Sequence, residues 1–517
     1  MEQLSGLDSA FLYLETPRTP MHIGAIAIYD PSTAPNAFVR FKDILGFIEQ
    51  RLHLAKSFRR KLANVPMSLD YPYWIDDPDF DLEYHVRHIA LPQPGDWRQL
   101  CIQAARLHSR PLDLSKPLWE FTVIEGLNNV PGVPKGSYAI VSKVHHAAID
   151  GVSGVDITNA LHSLDPAGNV APPDKPWIPE RTPTSAELLV RAQLNVLNTP
   201  LRLARTVTNS APGLARMAGD LVRGRVRTTI GSVPRTRFNG SVAMNRVVDG
   251  RNFSLAEIKE IRTRLPGATV NDVIVTVIGG AMRRYLKTAN ELPRESLVCM
   301  APISVRAPGE KNTLGNQVSA MTIPIGTHIA DPFGRLQYVH EEAENSKALT
   351  NAVGARQLSE YSSFMPSTLT GLAARLYVRW GLANRVAPMF NTVITNVPGP
   401  PVPLYMNGAR LVTQFGLGPL FEGVGIFHAV FSYCGSMTVT FTSDRSLMTD
   451  PERYANCLQE SFDELQAAAL KRPIPAPKPE PEPVPAPPPA EAKAEAAPKK
   501  SRPRKRKPKL TIVSAAE

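Results

Sequence analysis

The sequence predicts a mixed α/β (α+β) protein made of two similar halves, a basic linker between them and a disordered C-terminal tail. Strand-like and helix-like patterns alternate along residues 1–175 and again along residues 241–470, which is typical of folds that combine sheets with helices. Residues 176–240 and 471–517 interrupt this alternation with different compositions. A chain of 517 residues is long enough for about two to four domains and for a core that encloses a ligand tunnel.

The first half contains two predicted strands and two predicted helices. MHIGAIAIYD (21–30) is rich in β-branched and apolar residues and ends at an Asp-Pro pair, which predicts a strand. Residues 38–62 have helical periodicity with many Lys and Arg, so we expect a helix there. SYAIVSKVHH (137–146) has the pattern of a buried strand, and VSGVDITNALHSL (152–164) has that of a helix leaving it.

The linker, residues 176–240, begins within a Pro-rich stretch, PPDKPWIPERTP (172–183), and contains Thr184-Ser185-Ala186-Glu187, the pattern of a helix capping box. Leucines and arginines then alternate in helix-like sequence, which predicts basic amphipathic helices that cross between the halves. Two interpretations stay open. The helices pack on both halves as a connector, because apolar stripes seek a core, or they lie in the surface of a membrane or lipid droplet.

The second half, residues 241–470, repeats the alternation of strands and helices. We expect a helix over Val270–Leu286 that is capped at Asn271 or Asp272. Predicted strands follow at 296–306, 317–325 and 390–397, then a pair of strands over 428–444 joined by a turn at Cys434-Gly435-Ser436, then a closing helix over Pro451–Leu470.

The tail, residues 471–517, alternates Pro, Ala, Lys and Glu and cannot bury a core, so we expect it to be disordered. It carries twelve Lys or Arg against five Glu, which is most of the net charge of +11. The body is therefore only mildly basic, and charge does not indicate a specific nucleic-acid partner. The tail would suit anionic lipid headgroups, nonspecific nucleic acid or simple solubility.

Cysteine usage and hydropathy exclude several classes of protein. Cys101, Cys299, Cys434 and Cys457 are far apart and form no CxxC pair, so a secreted disulfide framework or a zinc site is not expected. The N-terminus is acidic and does not resemble a signal peptide. No apolar run reaches the roughly 18–20 residues of a membrane span. We expect a cytoplasmic protein, peripherally associated with the inner membrane or lipid droplets.

The strongest chemical signal is His145-His146-Ala147-Ala148-Ile149-Asp150-Gly151, directly after a predicted strand. A chance HHxxxDG in a chain of this length has a probability on the order of 0.001 at average residue usage, so the motif carries more weight than a lone histidine. Neighbouring side chains of a strand face opposite ways. One histidine can therefore face a cavity while the other is buried, and the alternative is a pair of core histidines beside a loop.

This pattern suits general base catalysis on an alcohol. A neutral imidazole accepts a proton near pH 7 and can return it to a leaving group. An alcohol is a poor nucleophile until a base within hydrogen-bond reach activates it. A carboxylate that holds the turn after the strand, for instance through an arginine, would keep the imidazole rigid.

Seven blocks resemble the bacterial wax ester synthase/diacylglycerol acyltransferase family, in the order expected for that family and over nearly all of residues 1–470. The blocks are LSGLDSAFLYLETPRTPMHIGA (4–25), SKPLWEF (115–121), KVHHAAIDG (143–151), ATVNDVIVTVIGGAMRRYL (268–286), PISVR (302–306), GNQVS (315–319) and TNVPGP (395–400). HHxxxDG alone also occurs in chloramphenicol acetyltransferase-like enzymes and peptide condensation domains. The ordered set is far more specific, and the basic tail is not part of the resemblance.

The resemblance implies two chloramphenicol-acetyltransferase-like halves around a central channel. It implies an acyl-CoA co-substrate, a diacylglycerol or long-chain alcohol acceptor, and neither a metal nor a covalent intermediate. In its terms His146 is the general base, His145 the supporting histidine and Asp150 the structural carboxylate of the motif, while Gly151 permits the tight turn.

Four further residues are candidates for substrate contacts. Asn271 is the first candidate for the oxyanion donor and Ser319 the second, although Asn271 is equally suited to a helix N-cap. Arg306 could pair with Asp150 or lie exposed on the surface. Trp119 could contact the acyl chain, but aromatic side chains usually carry burial, so a core position is favoured.

Two other functions stay open. Amide-bond condensation would use an amine acceptor, but no carrier-protein segment is evident. A weakly active lipid-binding or droplet-organising protein would suit the basic linker and tail, but pure binding has no need of a positioned base. The nature of the acceptor, and the effect of losing His146, would distinguish these functions from lipid acyl transfer.

Overall fold

Three sheets organise the part of the chain that the computed structural model describes, namely residues 1–149, 157, 160–195, 233–304, 318–353 and 387–474. The strands are β1 (Glu2–Gln3), β2 (His22–Asp30), β3 (Arg60–Ala63), β4 (Tyr73–Asp76), β5 (Val86–Ala90), β6 (Trp119–Leu127), β7 (Ser137–His145), β8 (Arg246–Ser254), β9 (Val298–Ser304), β10 (Val318–Pro324), β11 (Thr392–Pro398), β12 (Tyr405–Met406), β13 (Ala409–Leu417), β14 (Ile426–Tyr433) and β15 (Ser436–Asp444). The helices are α1 (Gly6–Leu14), α2 (Phe41–Glu49), α3 (Leu82–His85), α4 (Trp97–His108), α5 (185–195), α6 (Leu255–Thr263), α7 (Val270–Thr288), α8 (Pro332–Val353) and α9 (Pro451–Leu470).

The first six-stranded sheet has the order β12-β13-β2-β7-β6-β5. Strand β7 is antiparallel to both of its neighbours, β2 and β6, while β5 joins β6 in parallel. All but one of the residues of β7 are buried, as expected for a strand covered on both faces. The sheet therefore fixes the backbone of β7 from both sides up to its last residue, His145.

The second six-stranded sheet has the order β10-β9-β11-β14-β15-β8. Strand β11 is parallel to both β9 and β14, and the other neighbours are antiparallel. Helices α6, α7, α8 and α9 contribute to its hydrophobic core, which includes fully buried Ile278, Leu286 and Leu458. The chain thus forms two mixed sheet-and-helix halves, as the sequence predicts.

Strand β13 follows β11 in the sequence but lies in the first sheet, where it pairs antiparallel with β2. The β12–β13 hairpin also holds the segment after the histidine motif, because Ser163 and Tyr405 exchange backbone hydrogen bonds of 2.9 and 2.8 Å. On its other side, a methyl group at Gly416 would meet the ring of Phe431 in β14. Strands from both sides of the predicted domain boundary at residue 240 therefore pair in the first sheet. The boundary itself stays a prediction.

The structure describes residues 176–195 and 233–240 of the linker, and helix α5 lies in the first of these stretches. The amide of Glu187 donates to Thr184 Oγ1 at 3.3 Å and the amide of Thr184 donates to Glu187 Oε2 at 2.8 Å, which confirms the predicted capping box. Leu188 and Ala192 are buried against the small sheet β1-β4-β3. This stretch of the linker packs on the first half, and the predictions for residues 196–232 and for residues 475–517 of the tail lie outside the described residues.

Several predicted elements are confirmed within a residue or two. These are β2, β7, β9, β10, β11, the β14–β15 hairpin and α9. At the hairpin turn Cys434 and Gly435 both have positive φ, 45° and 81°, which glycine tolerates and cysteine rarely adopts. The periodic patterns of apolar residues were sufficient to locate these elements.

Two predictions about helices were wrong. The helix expected over residues 38–62 ends at Glu49, because the chain then turns and Arg60–Ala63 pairs with β4 as β3. The cap of α7 is Thr269 and not Asn271 or Asp272. The amide of Asp272 donates to Thr269 Oγ1 at 3.2 Å and its carboxylate accepts from the Thr269 amide at 2.8 Å, so Asp272 completes the cap from inside the helix.

Among the described helices, none combines the length and the low polarity needed to cross a lipid bilayer.

Candidate active site

Residues His145 and His146 lie where β7 ends, between β2 and β6. The amide of His145 donates to Leu118 O at 2.9 Å, and the amide of His146 donates to Met21 O at 2.8 Å. Residues His146–Ala148 then form a short 3-10 turn. Backbone hydrogen bonds to the residues immediately before β6 and β2 therefore hold the two histidines in place.

The side chain of His145 is fully buried and has a defined tautomer. Its Nδ1 accepts a hydrogen bond from the amide of Ala147 at 3.1 Å, so the ring proton must be on Nε2. Nε2 lies 3.1 Å from Glu15 Oε2 and donates to it. This pair of contacts closes the turn after β7 on one side and anchors it to the N-terminal segment on the other.

The side chain of His146 is half-buried and stacks on the ring of Phe11, with centroids 3.8 Å apart and an angle of 14° between the planes. Burial lowers the pKa of His146 to about 4. Its Nδ1 is buried and has no hydrogen-bond partner among the described residues. The imidazole is therefore neutral at pH 7 and able to accept a proton.

Helix α1 and the residue that ends it supply both contacts to the histidines. Ser5 caps the helix by accepting from the amide of Asp8 at 3.1 Å, and the amide of Glu15 donates to Phe11 O at the other end. Residues four apart lie on the same face of a helix, so Phe11 and Glu15 point the same way. Glu15 Oε1 also accepts from the amide of Met21 at 3.4 Å, beside His146.

Sequence reasoning missed Phe11 and Glu15 as site residues. Both lie in the block LSGLDSAFLYLETPRTPMHIGA, but an aromatic residue and a carboxylate at the N-terminus carry no signal of their contacts with residues about 130 positions away. Their spacing of four on a helix and the position of Glu15 at its end were the only available signals.

Asn271 lies exposed in the first turn of α7, and its Oδ1 accepts from Asn396 Nδ2 at 2.5 Å. The structure thus brings two predicted blocks together, since Asn396 belongs to TNVPGP (395–400). Ser319 lies on β10 opposite Ile303, and its side chain is not among those described. Asp150, Gly151 and Arg306 lie outside the described residues, so the pairing suggested for Asp150 and Arg306 stays a prediction.

Trp119 lies in the core with 1% of its surface exposed, the position favoured for it on sequence grounds. Its Nε1 donates to Phe58 O at 3.0 Å, its carbonyl accepts from His85 Nδ1 at 2.7 Å, and the rings of His85 and Trp119 stack 4.5 Å apart. Its backbone pairs with Val144, next to His145. Trp119 thus packs in the core beside the end of β7, the strand that carries the histidines.

Among the other buried histidines, three have strongly lowered pKa values because burial disfavours the imidazolium. His22, which pairs across β2 and β7 with His145, has its Nε2 2.8 Å from His108 O. His108 in turn contacts Gly418 O at 3.0 Å, and its pKa is lowered to about 3. His428 lies between Thr392 and Tyr454 in the second half, and its pKa is also lowered to about 3.

Comparisons with known proteins agree with this architecture. Residues 4–274 match the wax ester synthase/diacylglycerol acyltransferase catalytic domain, and residues 314–466 match the C-terminal domain of the same family. A candidate diacylglycerol O-acyltransferase of Mycobacterium tuberculosis (strain CDC 1551 / Oshkosh) is 32% identical over 473 residues, covering 92% of each chain. The candidate diacylglycerol O-acyltransferase tgs2 of M. tuberculosis is 31% identical, covering 90% of this chain and 99% of its own.

Solved structures share the fold at lower identity. The wax ester synthase/diacylglycerol acyltransferase from Marinobacter aquaeolei VT8 superposes with a TM-score of 0.63 at 24% identity, over 90% of this chain and 99% of that one. The starter condensation domain of rhizomide synthetase, solved in complex with C8-CoA, gives a TM-score of 0.51 at 13% identity over 92% and 96%. The matched domains cover more than half of the sequence, and this chain belongs to the wax ester synthase/diacylglycerol acyltransferase family.

Proposed function

We propose that the protein transfers the acyl group of an acyl-CoA to the hydroxyl of a lipid alcohol. Diacylglycerol is the principal acceptor and gives triacylglycerol, and long-chain alcohols are a second class of acceptor that gives wax esters. Family membership and the names of the mycobacterial relatives support the choice of acceptor. The observation that carries the chemistry is the half-buried, neutral His146, stacked on Phe11 beside a His145 that Glu15 holds.

The proposed reaction proceeds in two steps without a covalent acyl-enzyme. His146 takes the proton of the acceptor hydroxyl while the oxygen attacks the thioester carbonyl, and a tetrahedral oxyanion forms. The oxyanion then collapses, the carbon–sulfur bond breaks, and His146 returns the proton to the CoA thiolate. The products are one ester and one CoA thiol, so no oxidant, reductant or metal is required.

The environment of His146 supports this role. Its lowered pKa keeps the imidazole unprotonated over the whole physiological pH range, so every enzyme molecule has the base in its active, neutral form. The stack on Phe11 restricts ring rotation, and the Glu15–His145 hydrogen bond fixes the residue before it. Positioning of this kind lowers the entropic part of the activation barrier, because the base is already held in one orientation.

We assign the oxyanion donor to Asn271. Because its Oδ1 accepts from Asn396, its amide Nδ2 is the end left to donate to a developing oxyanion. Ser319 is the second candidate. Asp150 would hold the turn after the motif, paired with Arg306, and Gly151 would permit that turn. Acyl-CoA and the acceptor alcohol would enter the channel between the halves from different ends.

The lipid substrates place the reaction at a membrane or lipid-droplet surface, so we propose a cytoplasmic protein with peripheral lipid contact. Val190 and Leu194 on α5 are each 56% exposed, immediately before the Leu- and Arg-rich sequence 196–232. Exposed apolar side chains beside basic ones are the composition of interfacial segments.

The test is thiol release from palmitoyl-CoA with dioleoylglycerol, hexadecanol or hexadecylamine as acceptor, with the product lipid identified. Wild type should release thiol only when an alcohol is present. The control variant His53→Ala, which replaces a partly exposed histidine, should behave in the same way. His146→Ala should lose this release while keeping the circular dichroism of wild type. A folded His146→Ala variant with wild-type activity would exclude the mechanism, and an amide product alone would favour condensation.

A further inference from the structure

A cavity of about 450 Å³ lies among helices α7, α8 and α9 of the second half. It shares no residue with the site around His145 and His146. Its charged lining residues are Arg283, Arg284, Lys287, Arg335, Arg453 and Glu464. Five of these side chains are cationic and one is anionic, so the cavity is markedly basic.

Only part of this positive charge is neutralised. Arg284 contacts Glu460 at 2.9 Å and also pairs with Glu464, and Arg453 contacts Glu460 at 3.0 Å. The other three cations, Arg283, Lys287 and Arg335, have no carboxylate within ion-pair distance in the described ranges. Three positive charges therefore line the cavity without an acidic partner from those ranges.

Arg335 is the most unusual of the three, because only 3% of its surface is exposed. Its guanidinium donates to Ile329 O at 2.9 Å and to Ala330 O at 3.3 Å. Burial lowers the pKa of Arg335 to about 10, and the charge of Arg283 contributes. Buried charges in proteins are normally paired with an opposite charge, so two backbone carbonyls are an incomplete set of partners.

The backbone of α7 makes room for this guanidinium. A methyl group at Gly280 would lie 2.6 Å from Arg335 Nη1 and would also meet Ser461 Oγ. Glycine is unfavourable in a helix interior, so its presence there is explained by the close approach of Arg335. Ser461 Oγ is buried and finds no hydrogen-bond partner within the described part of the chain.

We propose that this cavity binds a phosphate group through Arg283, Lys287 and Arg335. Guanidinium forks match the oxygens of a phosphate, and an ammonium adds a mobile donor. The same chemistry is offered by inorganic phosphate, by the phosphate ester and diphosphate of CoA, and by a phosphatidic acid headgroup. The site neither requires nor participates in the proton transfer proposed for His146.

The test is isothermal titration calorimetry of the full chain with inorganic phosphate, CoA and 3′-dephospho-CoA, and cosedimentation with phosphatidylcholine vesicles containing phosphatidic acid. The double variant Arg283→Ala/Lys287→Ala should weaken binding by at least about tenfold, as expected for two lost charge-assisted contacts. Lys259→Ala/Arg262→Ala removes the same charge from the exposed face of α6 and should change binding less than about twofold.

Arg335→Lys keeps the charge but loses the fork, and it should weaken binding while the protein keeps its melting temperature within a few degrees. Tighter binding of CoA than of 3′-dephospho-CoA assigns the site to the phosphate ester of CoA. Equal binding of phosphate and CoA assigns it to free phosphate, and binding to vesicles alone assigns it to a headgroup. Each of these three results supports the proposal where Arg283→Ala/Lys287→Ala weakens that binding, because in the proposed reaction CoA also binds at the site of His146.

Two results would overturn it. Wild type would bind none of the probes, or the two double variants would lose affinity equally, in which case overall charge would explain the binding. Because binding is measured without an acceptor alcohol, its failure leaves the acyl-transfer assay of His146→Ala unaffected. The two proposals can therefore fail separately.

Discussion

Glu15 Oε2 accepts a hydrogen bond from Nε2 of His145 at 3.1 Å, and this contact joins the end of α1 to the end of β7. The carboxylate side chain is only 9% exposed, so water competes little for the bond. Because the amide of Ala147 occupies Nδ1 of the same ring, Glu15 faces the only nitrogen that can donate. The first residues of the chain thus hold the orientation of the histidine pair.

Glu15→Ala should lower kcat by about a hundredfold, the effect expected when a catalytic group is displaced by about an ångström. Glu15→Gln keeps an acceptor for Nε2 and should lose less. KM for acyl-CoA should change little, because Glu15 touches no substrate in the proposed reaction. Steady-state thiol release checks this, with the exposed Glu83→Gln as the matched control. Wild-type kcat in a folded Glu15→Ala variant would show that the contact has no positioning role.

Phe11 provides the second restraint, through its stack on His146 at 3.8 Å. Phe11→Leu keeps an apolar side chain but loses the aromatic contact, which is worth about 0.5–1.5 kcal/mol. We expect a fall in kcat of about threefold to tenfold, in proportion to that energy. Phe11→Tyr should retain activity. A rise in KM with kcat unchanged would instead show that Phe11 acts in substrate binding.

The pH dependence of kcat/KM should report the low pKa of His146. A base must be unprotonated to act, so the rate is full above its pKa and falls as the pH drops through about 4. Burial is the largest cause of this low value, so Phe11→Ala, which opens one face of the ring, should move the acid limb upward toward 6.5. An acid limb near 6.5 in wild type would contradict the buried position of His146.

Local patterns in the sequence were sufficient for much of the fold. The β14–β15 hairpin, α9 and the strand ending at His145 follow from apolar periodicity and turn residues within each segment. The cap of α7 was missed because Thr269, Asn271 and Asp272 all suit that position and only the hydrogen bonds distinguish them. The first sheet could not be completed from local patterns, because no strand was predicted over β13, which pairs with β2 in that sheet.

Only part of the candidate site, too, could be predicted from local sequence. His145 and His146 are recognisable because the motif is short and contiguous, whereas Glu15 contacts His145 across 130 positions of sequence. A hydrogen bond of that separation depends on how α1 docks against the sheet, which no spacing within the segment encodes. The contact of Asn271 with Asn396 is a similar case, because each residue lies in a separate block.

Glycines at two positions should respond in opposite ways to a methyl group. At Gly416 in β13 the methyl would meet the ring of Phe431 and the side chain of Ala429, so Gly416→Ala should destabilise the protein by about 1–3 kcal/mol. At Gly46 in α2 nothing lies within 4 Å, and Gly46→Ala should stabilise by about 0.5–1 kcal/mol. Urea unfolding measures both. Equal effects would mean that β13 does not approach β14 closely.

The buried histidines make the stability of the protein depend on pH. His22, His108 and His428 have folded-state pKa values well below the value of about 6.5 expected when unfolded. Between these values the unfolded chain binds the protons, so stability is full above pH 6.5 and falls as the pH drops toward 3. Each such histidine contributes a slope of about 1.4 kcal/mol per pH unit.

His428 offers the cleanest measurement of one such contribution. Its Nδ1 lies 2.9 Å from Thr392 Oγ1 and its Nε2 lies 2.8 Å from Tyr454 OH, two contacts that an uncharged Gln can make in part. His428→Gln should therefore lower stability at pH 7 but reduce the slope between pH 6.5 and 4 by about 1.4 kcal/mol per unit. Urea midpoints at half-unit pH steps measure both proteins, and a His428→Gln slope equal to that of wild type would mean that His428 takes up its proton in the folded state.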